Sequence, residues 1–250
     1  MPGPREAAYT PRHVFSRSRI LAWSHRSRFR RARMLVRPYA GGRLLDYGCG
    51  DGLFLEMVRD LFPERVGTDV WEAQLDECRE RYAGDAGVSF LSPAALGAEH
   101  DGAYPVVTCM EVLEHCPPAE LEGVLRDLAR LVSPGGVVLV SVPVELGLSL
   151  ALKHSVRLAA SLRGLGPYRD PNELYRPGEF LRMVFAGERT SIPRPVYWYG
   201  QHGHKGFNWR SLRARLAQTF VVEDVSFSPL PPLRGVLNSQ VWLRCSPRPH

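Results

Sequence analysis

The chain has 250 residues but only two lysines, Lys153 and Lys205, although Lys and Arg together number 32. Its five cysteines, at positions 49, 78, 109, 116 and 245, form no C-x-x-C pair. That argues against a zinc site and a disulfide framework, and it fits reduced thiols. No apolar run approaches the roughly 18 residues that a membrane span requires. The start of the chain is basic but lacks the apolar stretch of a secretory signal, so a cytoplasmic protein is expected. No internal repeat is visible.

Acidic residues are scarce at one end. Residues 1–37 hold ten Arg and one Glu, a balance of +9. The whole chain carries +6, which leaves −3 for the remainder. This basic arm has three readings: a solvated arm with a surface helix, contact with an anionic partner such as a lipid surface or nucleic acid, or an Arg-rich transit peptide. A hydrophobic content of 44% and this length suit one globular domain with a full core.

The most informative stretch runs from Arg43 to Leu55. A short apolar run, Arg43 to Tyr47, is followed by Gly48, Gly50 and Gly52 at alternate positions, then by an apolar helix pattern. A strand, a glycine turn and a helix open a ligand crevice at the carboxyl end of a first strand. The dinucleotide fingerprint G-x-G-x-x-G fails, because Leu53 or Leu55 holds its last place, and no phosphate loop is present. Asp46, just before the turn, repels a pyrophosphate and suits a cation. Val66 to Val70 reads as a second strand ending in Asp69, 21 residues after Gly48. That is the distance at which an acid meets ribose hydroxyls. An adenosine joined to a cationic amino acid satisfies both carboxylates.

Asp46 to Gly52 reads D-x-G-x-G-x-G, Val106 to His115 reads V-V-T-C-M-E-V-L-E-H, and Leu131 to Gly136 reads L-V-S-P-G-G. In this order the three motifs resemble those of class I S-adenosylmethionine-dependent methyltransferases, over roughly residues 43–145. The second string is most similar to the ubiquinone-type O-methyltransferases. The resemblance implies an α/β, Rossmann-like, doubly wound seven-stranded sheet with its last strand antiparallel and a helical insert after strand five. It implies S-adenosyl-L-methionine as cofactor, seated by Asp46, Gly48, Gly50, Gly52 and Asp69. Val70 is then placed to touch adenine, with Trp71 beside it. Many relatives carry an acid after strand three; here Ser92 stands in that region as an acceptor. Met110, at the end of strand four, contacts the cofactor or is plain core. Arg31 reaches the methionine carboxylate or is a surface arginine.

Along the chain, residues 1–15 carry prolines and no period and read as a disordered arm, and 16–250 as a single domain. Ser16 to Tyr39 has a helix-like pattern ended by Pro38 and Gly41. Helices are expected over Leu53–Phe62, Trp71–Tyr82, Pro118–Val132 and Phe207–Phe220. Strands are expected over Val88–Leu91, Pro105–Met110, Val137–Val142, Val221–Val225 and Gln240–Arg244. The insert, 146–206, shapes an acceptor pocket, forms a helical hairpin without ligand contact, or docks at a membrane interface through a basic amphipathic helix.

Methyl transfer from a sulfonium needs alignment of donor and acceptor, and a base for the acceptor's proton. His115, after strand four, is the first candidate, with His204, its neighbour His202, and Glu145 next. No Asp/Asn cluster with metal-ligand spacing is visible, so no metal site is expected. The acceptor expected is an oxygen of a small molecule, lipid or sugar. The competing readings are an RNA-directed methyltransferase using the basic arm, a nucleotide-dependent oxidoreductase, and a non-catalytic cofactor-binding protein.

Overall fold

The structure, a computed structural model, describes residues 19–162, 174–197 and 200–248. The arm expected over residues 1–15 lies outside them. Seven strands form one sheet: β1 (Arg43–Tyr47), β2 (Glu64–Thr68), β3 (Val88–Leu91), β4 (Tyr104–Met110), β5 (Val132–Pro143), β6 (Phe220–Ser228) and β7 (Gln240–Pro247). Their order is β3-β2-β1-β4-β5-β7-β6. The first five are parallel, and β7 runs antiparallel to both β5 and β6. The chain winds outward one way from β1 and the other way from β4. The switch point therefore lies between them, where such sheets open a ligand crevice.

The strands are almost continuously apolar because both faces are covered. Period-two alternation divides them between two cores. Leu45, Val107, Cys109, Val138 and Val140 face one side, and Leu44, Val106, Val137 and Leu139 face the other. Helix α1 (Arg19–Val36) contributes Phe29, Ala32 and Val36 to the second core. These three recur at helical spacing on an otherwise Arg-rich helix. Helix α2 (Leu53–Met57) follows the glycine bend, α3 (Glu72–Arg81) follows β2, and α4 (Pro118–Leu131) joins β4 to β5. After β5 come α5 (Gly147–Leu162) and α6 (Pro177–Val184), which form the insert, and then α7 (Trp209–Thr219) before β6.

Two expectations need correction. The helix expected over Leu53–Phe62 stops at Met57. Val58 and Phe62 are both fully buried ahead of Pro63, and the Leu61 carbonyl accepts from Gly41 N–H at 2.8 Å, so the chain closes in turns instead. The strand expected over Val137–Val142 begins earlier, at Val132, and the Leu131–Gly136 motif leads into a bulge within it. Tyr104 pairs with Val132, the register then shifts, and pairing resumes at Val106 and Val137.

Candidate active site

The donor side is built where β1, β2 and β4 end. Gly48 and Cys49 N–H both donate to Thr68 O, at 2.7 and 2.9 Å, which fastens the bend to β2. Gly48 has φ 77, and a Cβ there would lie 2.2 Å from Val112 Cγ2, so only glycine fits. Gly50 N–H donates to Asp69 Oδ2 and Trp71 N–H to Asp69 Oδ1, both at 3.1 Å. The Asp69 carboxylate is thereby aimed along the bend. Gly52 starts α2.

Asp46 is 1% exposed, and its Oδ1 accepts from Thr108 Oγ1 at 2.6 Å. Burial pushes its carboxyl up to about 7 and the charge of Asp69 adds to the rise, while the Thr108 hydrogen bond and Arg28 oppose it. Two acids therefore face a bare backbone, and the deeper one lacks a full positive partner. That arrangement accommodates a cation.

The other donor-side candidates surround this bend. Val70 and Trp71 stand exposed just past Asp69. Ser92 is half-buried beyond the end of β3, and β3 pairs with β2, so Ser92 and Val70 follow adjacent strand ends. Met110 is half-buried and packs against the second core. Arg31 is half-buried, and its Nε is enclosed without a hydrogen-bond partner. Sequence reasoning missed Arg28, one turn earlier on α1. It is 9% exposed, with Nη1 3.7 Å from Glu111 Oε2. Its charge also acts on Asp46 and on Glu114, so it stands between the two halves of the crevice. Its spacing of three from Arg31 was the available signal.

The acceptor side begins one residue after β4. Glu111 has φ 59, an unusual conformation for a non-glycine residue and one that clusters at functional sites. Its N–H donates to Ser141 O at 2.9 Å, and its Oε1 accepts from Ser141 Oγ at 3.2 Å. Glu114 is fully buried, and neither carboxylate oxygen has a hydrogen-bond partner. Burial, with Glu111 nearby, holds its carboxyl well above the usual range, against the pull of Arg28 and Arg194. The Arg194 guanidinium donates to the Glu114 carbonyl and, at 3.0 Å, to Gly203 O, which draws the insert over this loop.

His115 Nδ1 lies 2.8 Å from His202 O. A carbonyl only accepts, so Nδ1 carries a proton, and Nε2 is the nitrogen that holds the lone pair in the neutral ring. Nε2 lies 3.9 Å from Glu114 Oε1. The ring of His204 meets that of His115 at 5.1 Å between centroids. Burial lowers the pKa of His204 and His115 lowers it further, against Glu145, so it stays neutral near pH 7. Glu145 is 3% exposed and paired with Lys153 Nζ at 2.8 Å. The fold thus gathers His115, His204 and Glu145. His202 is turned away: its ring faces Pro195 O, and its backbone orients His115.

Sequence reasoning also missed Glu111 and Glu114, although their spacing of three beside His115 was legible. Ligand atoms of Glu114, His115 and His204 all lie within 4.8 Å of one another, a grouping able to hold a divalent cation.

Known proteins resemble this chain in sequence and in fold. A family model described as a methyltransferase domain matches residues 22–184. A ubiquinone biosynthesis O-methyltransferase of Caulobacter vibrioides is 31% identical over 196 residues, 75% of each chain. One from Thiobacillus denitrificans is 40% identical over 108 residues, 42% of this chain and 45% of that relative. The chain thus spans less than half of the length of the second relative. Among solved structures, a Pyrococcus horikoshii protein superposes with a TM-score of 0.55 at 19% identity, covering 95% of this chain and 96% of that one. The N-methyltransferase NodS of Bradyrhizobium japonicum, in complex with S-adenosyl-L-homocysteine, gives 0.54 at 10% identity, covering 90% and 88%. At these identities the structures share the fold alone. The matched domain, the relatives and the strand order converge, and the chain belongs to the class I S-adenosylmethionine-dependent methyltransferases.

Proposed function

We propose that the protein methylates an oxygen of a small-molecule, sugar or lipid-linked acceptor. The observation that carries this reading is the pairing of a cation seat with the imidazole of His115, whose Nδ1 is held by His202 O and whose Nε2 is turned toward Glu114. When bound, S-adenosylmethionine supplies an electrophilic methyl group on a cationic sulfur. Asp46 balances its positive charge, Asp69 takes the ribose hydroxyls, and the bend Gly48–Gly52 lets the backbone approach closely. Val70 and Ser92 line the adenine end, and Met110 the floor. Arg28 and Arg31 offer guanidinium groups to the methionine carboxylate.

On the other side, His115 Nε2 or His204 takes the proton of the acceptor hydroxyl as the oxygen–carbon bond forms and the sulfur–carbon bond breaks. Glu145, held by Lys153, stabilises the resulting positive charge on His204. Oxygen is favoured as the acceptor atom because the curated relatives are named O-methyltransferases. The test is incubation of the purified protein with methyl-labelled cofactor and with lipid, aqueous and RNA fractions of a cell extract. Label in a base-stable lipid or small molecule supports the reading. Label in RNA alone, or stabilisation by NAD(H) without any by S-adenosylhomocysteine, overturns it.

A second reading of the acceptor side rests on Glu114. Both of its buried oxygens are bare, and they face His115 and His204. A divalent cation held by these three residues would satisfy the carboxylate and lower the pKa of an acceptor hydroxyl directly. Manganese binding followed by electron paramagnetic resonance, in the parent and in Glu114→Gln, separates the two. Tight binding lost in the variant favours the cation; no binding leaves the imidazole as base.

A further inference from the structure

His115 and His204 reach the acceptor side on two separate pieces of backbone. His115 follows β4 on a tight turn, in which its own N–H donates to Val112 O at 2.9 Å. His204 follows a short antiparallel ribbon of the insert, where Val196 pairs with His202 and Gly203 N–H donates to Pro195 O at 3.3 Å. Neither piece alone sets the 5.1 Å between the two ring centroids.

One side chain bridges the two pieces. Arg194 opens the ribbon, and its Nη2 donates to Glu114 O and, at 3.0 Å, to Gly203 O. Those carbonyls belong to the peptide units Glu114–His115 and Gly203–His204. The guanidinium thus grips both imidazoles by the backbone that carries them, at the residue before each. His202 adds a second link: its N–H donates to His115 O at 2.9 Å, and its carbonyl accepts from His115 Nδ1. The guanidinium is itself held. Its carbon lies 5.3 Å from the centroid of the Phe207 ring, which is buried. Gly206, at φ 76, lets the chain pass the Arg194 stem: a Cβ there would lie 3.1 Å from Arg194 Cγ and 2.8 Å from Ile192 Cγ1. A planar group in a fixed place, with N–H bonds aimed at two carbonyls, sets distance as well as contact.

We propose that Arg194 is a positioning residue for methyl transfer: its guanidinium sets the spacing of His115 and His204 by clamping the peptide units that carry them. It takes no proton, because a guanidinium stays charged, and it acts only through the two rings. A base works when its nitrogen lies within hydrogen-bond reach of the acceptor's proton, and a misplacement of about 1 Å costs roughly 100-fold in rate. The assignment rests on the methyl-transfer reading of this site. It holds whether the imidazoles act as base or as ligands of a cation.

The experiment follows the ring and the reaction together, on the full chain. Labelling the histidines alone with heavy nitrogen gives the His115 ring signal by magnetic resonance, assigned by its absence from His115→Ala. The parent should show a hydrogen-bonded Nδ1–H. Gly203 adjoins His202, so the carbonyl that accepts from His115 shifts when the clamp is removed. In Arg194→Ala the signature should therefore be lost, while calorimetric affinity for S-adenosylhomocysteine stays at the parent level. Turnover is read as labelled methyl entering the extract fraction that the parent labels. Its maximal rate should fall roughly 100-fold, with KM for S-adenosylmethionine within about 3-fold of the parent's. Added ethylguanidinium should restore the ring signal and part of the rate; ethylammonium, of equal charge, should not. If the alanine variant does not fold, Arg194→Lys carries the same test, because it keeps the charge and lacks the planar fork. An intact ring signal, a loss of rate matched by an equal loss of cofactor affinity, or restoration by ethylammonium as well overturns the proposal. A parent that labels no fraction removes the methyl-transfer reading instead, and the ring signal with its rescue then decides whether Arg194 sets the imidazole geometry.

Discussion

The two halves of the crevice are finished to different degrees. On the donor side the two carboxylates that face the bend are held by the protein: Asp69 accepts two backbone N–H groups, and Asp46 accepts from Thr108. On the acceptor side Glu114 is buried with both oxygens bare, and Glu111 sits at a positive φ. A buried carboxylate without partners is costly, so a fold that keeps one leaves that cost for a ligand, a proton or a cation to relieve. The donor half is a prepared seat for one molecule. The acceptor half is completed by what it binds.

The comparison breaks most sharply at His115. His115→Ala should slow turnover by roughly 100-fold or more, the usual weight of a positioned base. Affinity for S-adenosylhomocysteine, measured by calorimetry, should stay at the parent level, because the ring serves only the acceptor half. Parent-level turnover would remove His115 as base; a matching loss of cofactor affinity would show that the halves are not separate.

Gly48→Ala asks the converse question. At φ 77, with Val112 Cγ2 in the way, the added Cβ displaces the bend or the loop after β4. A left-handed alanine costs about 1–2 kcal/mol before any clash, and with the clash added cofactor affinity should fall by at least roughly 5- to 30-fold. Calorimetry alongside circular dichroism distinguishes a distorted seat from an unfolded chain. An unchanged affinity would mean that the bend does not touch the ligand.

The same division governs what the sequence discloses. The donor half was legible because its chemistry is local: Asp46 to Gly52 is one strand end and one bend, and the register of β1 with β2 brings Asp69 alongside. The doubly wound, seven-stranded sheet with its last strand antiparallel followed from the family resemblance that the same motifs carry. The acceptor half is assembled across long separations. His115 is oriented by His202, 87 residues later, and Glu114 is covered by Arg194, 80 residues later. No local pattern announces such contacts, so the roles of Glu111 and Glu114 went unread, although their spacing beside His115 was visible. Helix α2 was overextended because its period continues past Met57, whereas Gly41 claims the Leu61 carbonyl through tertiary structure.

A smaller effect is expected from pH, and it sharpens the claim that the seat takes a cation. Asp46 holds its proton up to about 7 in the folded chain, against an ordinary value of 3.8. Between these values the folded state binds the extra proton, so this group's contribution makes stability fall as pH rises from about 4 to about 7. Binding a positively charged ligand requires the ionised form. Below pH 7, affinity for S-adenosylhomocysteine, whose ammonium group remains charged, should therefore drop by up to about 10-fold per pH unit. Asp46→Asn should flatten the profile. A flat profile in the parent would mean that the buried acid does not face the ligand.

The smallest effect tests how far the prepared half extends. Ser92 stands in the region after β3 where many class members carry an acid, and β3 ends beside the Asp69 turn. A serine hydroxyl contributes one neutral hydrogen bond, of about 0.5–1.5 kcal/mol, where a carboxylate contributes more. Ser92→Ala should thus weaken cofactor binding by only ~2- to 10-fold. Ser92→Asp should tighten it, by restoring a charged acceptor for the adenine amine. Should the aspartate weaken binding as the alanine does, the adenine lies elsewhere. Its wall is then Val70 and Trp71, exposed just past Asp69, and the seat ends at the ribose.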